Sequence, residues 1–144
     1  MIRRVISVLL AGIISTICLI CVCVPVSAAY IPPDVSPQYS YTQSCSSELS
    51  FLGTTATCKS NATGYLNETT KIVFNQTLQK QNSSGGWSDV SNASWTKTVY
   101  SYKGAATNTR SSLASGTYRL KTVFTVYSGT SSETITKYSQ EKII

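Results

Sequence analysis

Residues 113–127 read LASGTYRLKTVFTVY, and the second half of that stretch decides the fold. From Tyr118 onward the side chains alternate, with Tyr118, Leu120, Thr122, Phe124 and Val126 on one side and Arg119, Lys121, Val123, Thr125 and Tyr127 on the other. A period of two with one predominantly apolar side is what a strand with a single buried face requires. The stretch predicts a central strand.

The residues just ahead of it specify the architecture. Leu113, Gly116 and Tyr118 are spaced as in the corner of an immunoglobulin-like sandwich, where a Tyr at the start of a central strand hydrogen-bonds back to the preceding loop. Downstream, residues 128–132 (SGTSS) turn the chain and residues 133–144 make a last strand with Ile135 inward. Upstream, residues 70–81 (TKIVFNQTLQKQ) place Ile72, Phe74 and Leu78 on one face with Gln76 between them, a long central strand to pack beside the Tyr118 strand. Residues 82–86 (NSSGG) are a hairpin loop rich in residues that tolerate positive φ, and residues 87–90 a short return strand.

Elsewhere the pattern is weaker. Residues 95–103 (WTKTVYSYK) alternate without a distinctly apolar side, so either face is open to burial, and residues 104–110 read as a polar loop. Residues 47–51 and 55–60 form two short β-rich runs joined through Leu52, Gly53 and Thr54, with Ala56 and Cys58 inward; residues 61–68 read as a loop. About seven short strands with turns between them and no helix of useful length predict an all-β, antiparallel, immunoglobulin-like β-sandwich.

The N-terminus predicts the compartment. Arg3 and Arg4 precede an apolar run that ends at Pro25 and a small-residue site, Val26-Ser27-Ala28-Ala29, the anatomy of a secretory signal peptide over residues 1–29. The secreted form is expected to begin at Ala29 or Tyr30, and a membrane contact only if the segment stays uncleaved, since about 20 apolar residues can span a bilayer. Cys18, Cys21 and Cys23 leave with it, each following a residue too bulky for a lipoprotein-type cysteine. Residues 30–43, with three prolines, read as an extended or disordered lead that alternatively adds an edge strand, and residues 44–144 as the sandwich domain.

Removing Arg3 and Arg4 lowers the formal net charge from +6 to +4. The remaining Lys and Arg are scattered singly among Ser and Thr, which predicts no nucleic-acid partner. There is no His, which removes the usual general base and the commonest metal ligand. The acids Asp34, Glu48, Glu68, Asp89, Glu133 and Glu141 each stand alone in sequence, so a glycosidase-type pair such as Glu68 and Asp89 would have to assemble in space. No G-x-S-x-G elbow, phosphate loop or calcium loop is present. No enzyme, cofactor or metal is expected.

Three groups of residues stand out. Cys45 and Cys58 are the thiols left after cleavage; if their runs pair so that the two lie opposite, a disulfide can form, and in an oxidising compartment one is expected. Asn61, Asn67, Asn75, Asn82 and Asn92 each begin an N-x-S/T triplet, which a Ser- and Thr-rich chain produces by composition and which glycosylation would use only in a suitable secretory route. Trp87, Trp95, Tyr100 and Tyr102, with Tyr127, are candidate binding aromatics for a sugar or a protein, against the alternative that some fill the core.

With the corner motif, the hairpin from Gln79-Lys80 to Trp87 and the SETITKYSQE ending of residues 132–141, the chain resembles a family of small secreted domains of unknown function from Gram-positive bacteria, over residues 45–144. The resemblance implies an immunoglobulin-like or fibronectin-III-like sandwich with no assigned chemistry. Leu120 stands where an antibody domain has its second disulfide Cys, and Phe74 has no Trp nearby, so no disulfide through the core is expected. The function expected is a secreted, non-catalytic module binding a protein or cell-surface polysaccharide; the alternative is a secreted hydrolase or inhibitor-type effector. Oligomeric state leaves no trace in the sequence.

Overall fold

A computed structural model describes residues 39–144; the signal segment and most of the lead lie outside the described residues. Eight strands follow in order: β1 (Thr42–Leu52), β2 (Thr55–Gly64), β3 (Lys71–Gln81), β4 (Trp87–Val99), β5 (Lys103–Arg110), β6 (Thr117–Ser128), β7 (Ser131–Tyr138) and the short β8 (Lys142–Ile143). They form two antiparallel sheets, β1-β2-β5 and β4-β3-β6-β7, with β8 pairing the start of β6. In immunoglobulin lettering these are strands A, B and E facing C′, C, F and G. The fold is an all-β sandwich.

The alternation that singles out β6 also fixes its neighbours. β3 and β6 pair from Lys71 and Tyr127 to Lys80 and Tyr118, which aligns Ile72, Phe74, Gln76 and Leu78 with Val126, Phe124, Thr122 and Leu120 on the inner face. Two hairpins have two-residue turns, Gly53-Thr54 and Gly129-Thr130, each with the Gly at positive φ, 57° and 59°. Gly at the first position is the signature of a type II′ turn, whose twist matches the flanking strands and pins their register.

That register separates the cysteines. With Leu52 opposite Thr55, Cys58 falls opposite Leu49 and Cys45 opposite Ala62. Ala62 and Cys58 are four positions apart, ~13 Å of strand, well beyond the reach of a disulfide. The expected bridge is therefore replaced by two free thiols, Cys45 half-buried and Cys58 buried. Burial pushes the Cys58 thiol up to about 12 from its ordinary 9.0, and burial is also the main cause that raises Cys45. An unfolded Cys58 ionises near 9.0 while the folded one holds its proton, so its contribution to stability is complete below pH 9.0 and is lost as the pH rises toward about 12. A non-reducing peptide map should contain no linked pair, native alkylation should leave Cys58 unmodified, and denaturant midpoints should fall across that alkaline window.

The strand pattern departs from expectation at five places, the first being the last strand expected over residues 133–144, which ends at Tyr138 as β7 while Lys142–Ile143 form the separate β8. Residues 104–110 are not a loop but most of β5: its inward positions are Gly104, Ala106, Asn108 and Arg110, which carry no large apolar group to reveal a strand. The run expected at 87–90 and residues 95–99 of the run expected at 95–103 are one strand, β4, interrupted by a bulge in which residues 90–93 face the single Leu78 and Asn92 takes a φ of 56°, while residues 100–102 turn into β5. Residues 61–64 extend β2 rather than starting a loop. Finally, residues ahead of 44 belong to the packed structure: Tyr39 and Tyr41 pack against the core, and the Glu133 carboxylate accepts the backbone N–H groups of Ser40 and Tyr41 at 2.8 and 2.9 Å.

The corner has the expected geometry. Tyr118 is buried, and its hydroxyl donates to the Ala114 carbonyl at 2.5 Å. Leu113 is buried beside it with its N–H bonded to the Thr54 carbonyl, and Gly116 exchanges two backbone hydrogen bonds with Ile144. Tyr118→Phe should cost about 1–3 kcal/mol, because the Ala114 acceptor loses its donor inside the fold; an unchanged denaturant midpoint would remove the corner from the account.

The core is divided. One apolar cluster contains Leu49, Cys58, Leu78, Tyr118 and Leu120; the other contains Ile72, Phe74, Phe124, Val126 and Ile135. Between them runs a hydrogen-bonded belt. Asn108 Nδ2 donates to Gln76 Oε1 at 2.7 Å, and Gln76 Nε2 donates to Ser60 Oγ at 2.7 Å. Ser60 and Thr122 hydroxyls lie 2.8 Å apart, Thr122 and Ser47 hydroxyls 2.9 Å apart, and Ser47 Oγ donates to the Leu120 carbonyl. One consistent direction of donation from Asn108 to Leu120 satisfies every member, as a buried polar group requires.

Candidate recognition face

The outer face of the four-stranded sheet carries the side chains at odd positions of β3 and β6, together with those opposite them on β4 and β7. At one end three of them stack. The Arg119 guanidinium carbon lies 4.1 Å from the Trp87 ring centre and 4.2 Å from that of Tyr138, so strand β6 offers a cation flanked by rings from β4 and β7. Both distances are inside the range in which a guanidinium is attracted to a ring's π-face.

A polar relay holds this stack in place. Arg119 Nε donates to Gln79 Oε1 at 2.9 Å, and Gln79 Nε2 donates to Asp89 Oδ1 at 2.8 Å. Gln79 is only 8% exposed although it is on the solvent side of its strand, so the stack and its neighbours cover it. The fork of the guanidinium is thereby fixed in direction, while Tyr138 remains 49% exposed. Such an arrangement offers an aromatic surface to the apolar face of a ligand and N–H donors to its oxygens.

Along the same face toward the other end, the surface is hydroxyl-rich and flat. Ser94 Oγ donates to Thr77 Oγ1 at 3.3 Å and Thr96 Oγ1 to Asn75 Oδ1 at 2.7 Å, cross-strand pairs of the kind that order a sheet surface. On β6 Val123 and Lys121 stand opposite Asn75 and Thr77, with Thr136 across from Val123, and the next outward pair is Thr125 and Thr134.

The four aromatics singled out in the sequence are not brought together. Trp87 belongs to the stack. Trp95 pairs with Gln76 on the inner face and is partly buried against the first core cluster, because the β4 bulge reverses the side to which later residues point. Tyr100, 82% exposed, and Tyr102, half-buried, lie in the β4–β5 turn. Trp87 is opposite Gln81 and Val99 opposite Ile72, nine residues of β3 and ~30 Å apart, so that turn is at the far end of the sandwich. Tyr127 is also at that far end, opposite Lys71, whose ammonium lies 3.7 Å from its ring centre. Arg119, Tyr138 and Gln79 were missed by sequence reasoning; their outward strand parity was the one available signal.

The carboxylates are dispersed. Glu68 is in the β2–β3 loop beside the Lys71 end of β3, whereas Asp89 is opposite Gln79 near the other end. Lys71 and Gln79 are eight positions apart on β3, ~26 Å, against the ~9.5 Å upper separation of a glycosidase pair. Among the described residues no group of three or more Cys, Asp or Glu side chains is placed to hold a metal ion.

Comparison with known proteins adds little. No family model matches the chain, and no curated protein matches it. Among solved structures, OgpA from Akkermansia muciniphila is similar over 76% of this chain at 14% identity and a TM-score of 0.40. The chain spans 33% of that protein's length, and a likeness this distant carries no argument about fold or function.

Proposed function

We propose that this protein is a secreted, non-catalytic module, of the Gram-positive type its sequence resembles, that binds a protein or a cell-surface polymer through the outer face of the β4-β3-β6-β7 sheet. The observation that carries the reading is the Trp87, Arg119 and Tyr138 stack, ordered from beneath by Gln79 and Asp89. Arg and large aromatic side chains are the residues that dominate binding energy at recognition surfaces. A stack already fixed by hydrogen bonds loses little conformational freedom when a ligand lands on it. The hydroxyl-rich remainder of the face suits a polar, extended partner.

The test is a glycan array and a pull-down with cell-wall and host-surface material, run beside turnover assays on polysaccharide, peptide and ester substrates. Binding without turnover is the expected result. Turnover abolished by changing any of Glu48, Glu68, Asp89, Glu133 or Glu141 would replace the binding module with an enzyme.

A further inference from the structure

A pocket of about 390 Å³ opens at the end of the sandwich where the corner lies, lined among others by Lys80, Arg110, Ser88, Ser91 and Ser112. Strand pairing explains why two cations meet there. Lys80 is opposite Tyr118, and Arg110 opposite the buried Ala56, so both occupy inward positions at the last rungs of the β3–β6 and β2–β5 ladders, one from each sheet. The pocket opens there, over Val90, Leu113 and Tyr118 at the edge of the first core cluster.

The cations are not equally satisfied. Lys80 Nζ donates to the Ser115 carbonyl at 2.8 Å, which leaves the ammonium with donors to spare. Arg110 Nε is buried and has no hydrogen-bond partner among the described residues. A buried donor on a charged group without an acceptor is unfavourable, and the unfavourable term disappears when an acceptor arrives. Asp89 also lines the pocket, but it stands opposite Gln79 on the outer face and its Oδ1 accepts from Gln79 Nε2. On the rim Ser112, a non-glycine residue, has a φ of 58°, a sparsely populated conformation of the kind that clusters at ligand sites.

From this geometry we infer that the pocket is an oxyanion site, in which Arg110 and Lys80 hold a phosphate, sulfate or carboxylate group and the hydroxyls of Ser88, Ser91 and Ser112 supply further donors. The pocket adjoins the relay beneath the aromatic stack through Asp89, but the inference does not rest on the function proposed for the outer face. It takes one negatively charged group, free or carried on a larger acidic molecule.

The test is an amide chemical-shift titration of the described domain's full chain with sodium phosphate, sodium sulfate and sodium glucuronate, each against sodium chloride at matched ionic strength. Saturable shifts confined to residues 88–91 and 110–115 are expected with at least one of the three, and the tightest identifies the oxyanion class. Arg110→Gln should weaken that affinity at least ~10-fold, as expected for losing a charge-assisted hydrogen bond. Should Arg110→Gln fail to fold, Lys80→Gln takes its place, with a smaller loss expected. Shifts that match the chloride control, spread over the surface, or persist unchanged in the substituted protein would overturn the site.

Discussion

Gln76→Ala is expected to destabilise the domain by about 4 kcal/mol, the sum of a cavity and of polar groups left without partners. Gln76 is 1% exposed, accepts from Asn108 and donates to Ser60, with the Cys58 and Ala106 carbonyls 3.4 and 3.3 Å from its amide nitrogen. No other side chain in the belt touches both sheets through so many bonds. For a domain of this size that loss lowers the melting temperature by roughly 15–30 °C. The mechanism has its own control: Gln76→Leu combined with Asn108→Leu removes both members of one 2.7 Å pair and should cost less than the two single changes added together. A Gln76→Ala midpoint equal to that of the wild type would mean that the belt is not formed.

Phe124→Ala is expected to cost about 3–5 kcal/mol. Phe124 and Phe74 are fully buried, directly opposite each other on β6 and β3, with ring centres 5.5 Å apart at 68°, an edge-to-face contact. Tyr39, Tyr41 and Cys45, ahead of and within β1, pack against the same cluster, so the cavity should loosen that segment as well. Thermal or denaturant unfolding measures the loss, and faster hydrogen exchange at residues 40–45 would report the loosening. A cost under 1 kcal/mol would contradict the packing of this cluster.

These two residues also show where sequence reading succeeds and where it stops. Phe124 belongs to an alternation that leaves one strand assignment open, and β3, the 82–86 loop and the Tyr118 corner were legible for the same reason: apolar spacing and turn chemistry agree. Gln76 has the right parity for the core, but only the facing sheet supplies the Ser60 and Asn108 that make its burial tolerable. β5 was illegible because its inward residues are small or polar. The cysteine pairing depended on a register that the Gly53-Thr54 turn sets, and opposition of Cys45 and Cys58 was one of several registers open to two short runs.

The aromatics illustrate the same limit. Trp87 and Trp95 are an even number of residues apart, so a regular strand would put both on one face; the bulge at Asn92 sends Trp87 outward and Trp95 inward. Arg119 and Tyr138 become partners of Trp87 only through the order β4-β3-β6-β7, which no local pattern encodes.

The most direct test of the recognition face compares wild type, Arg119→Ala and Tyr100→Ala for binding to the surface material captured by the wild type, with a melt of each variant to verify folding. Arg119 is the centre of the stack, whereas Tyr100 is the most exposed aromatic among the described residues and lies at the far end. The account predicts a loss of about 30-fold or more in Arg119→Ala, the effect of a binding hot spot, and wild-type affinity in Tyr100→Ala. Undiminished binding by a folded Arg119→Ala, or loss of binding in Tyr100→Ala instead, would contradict it.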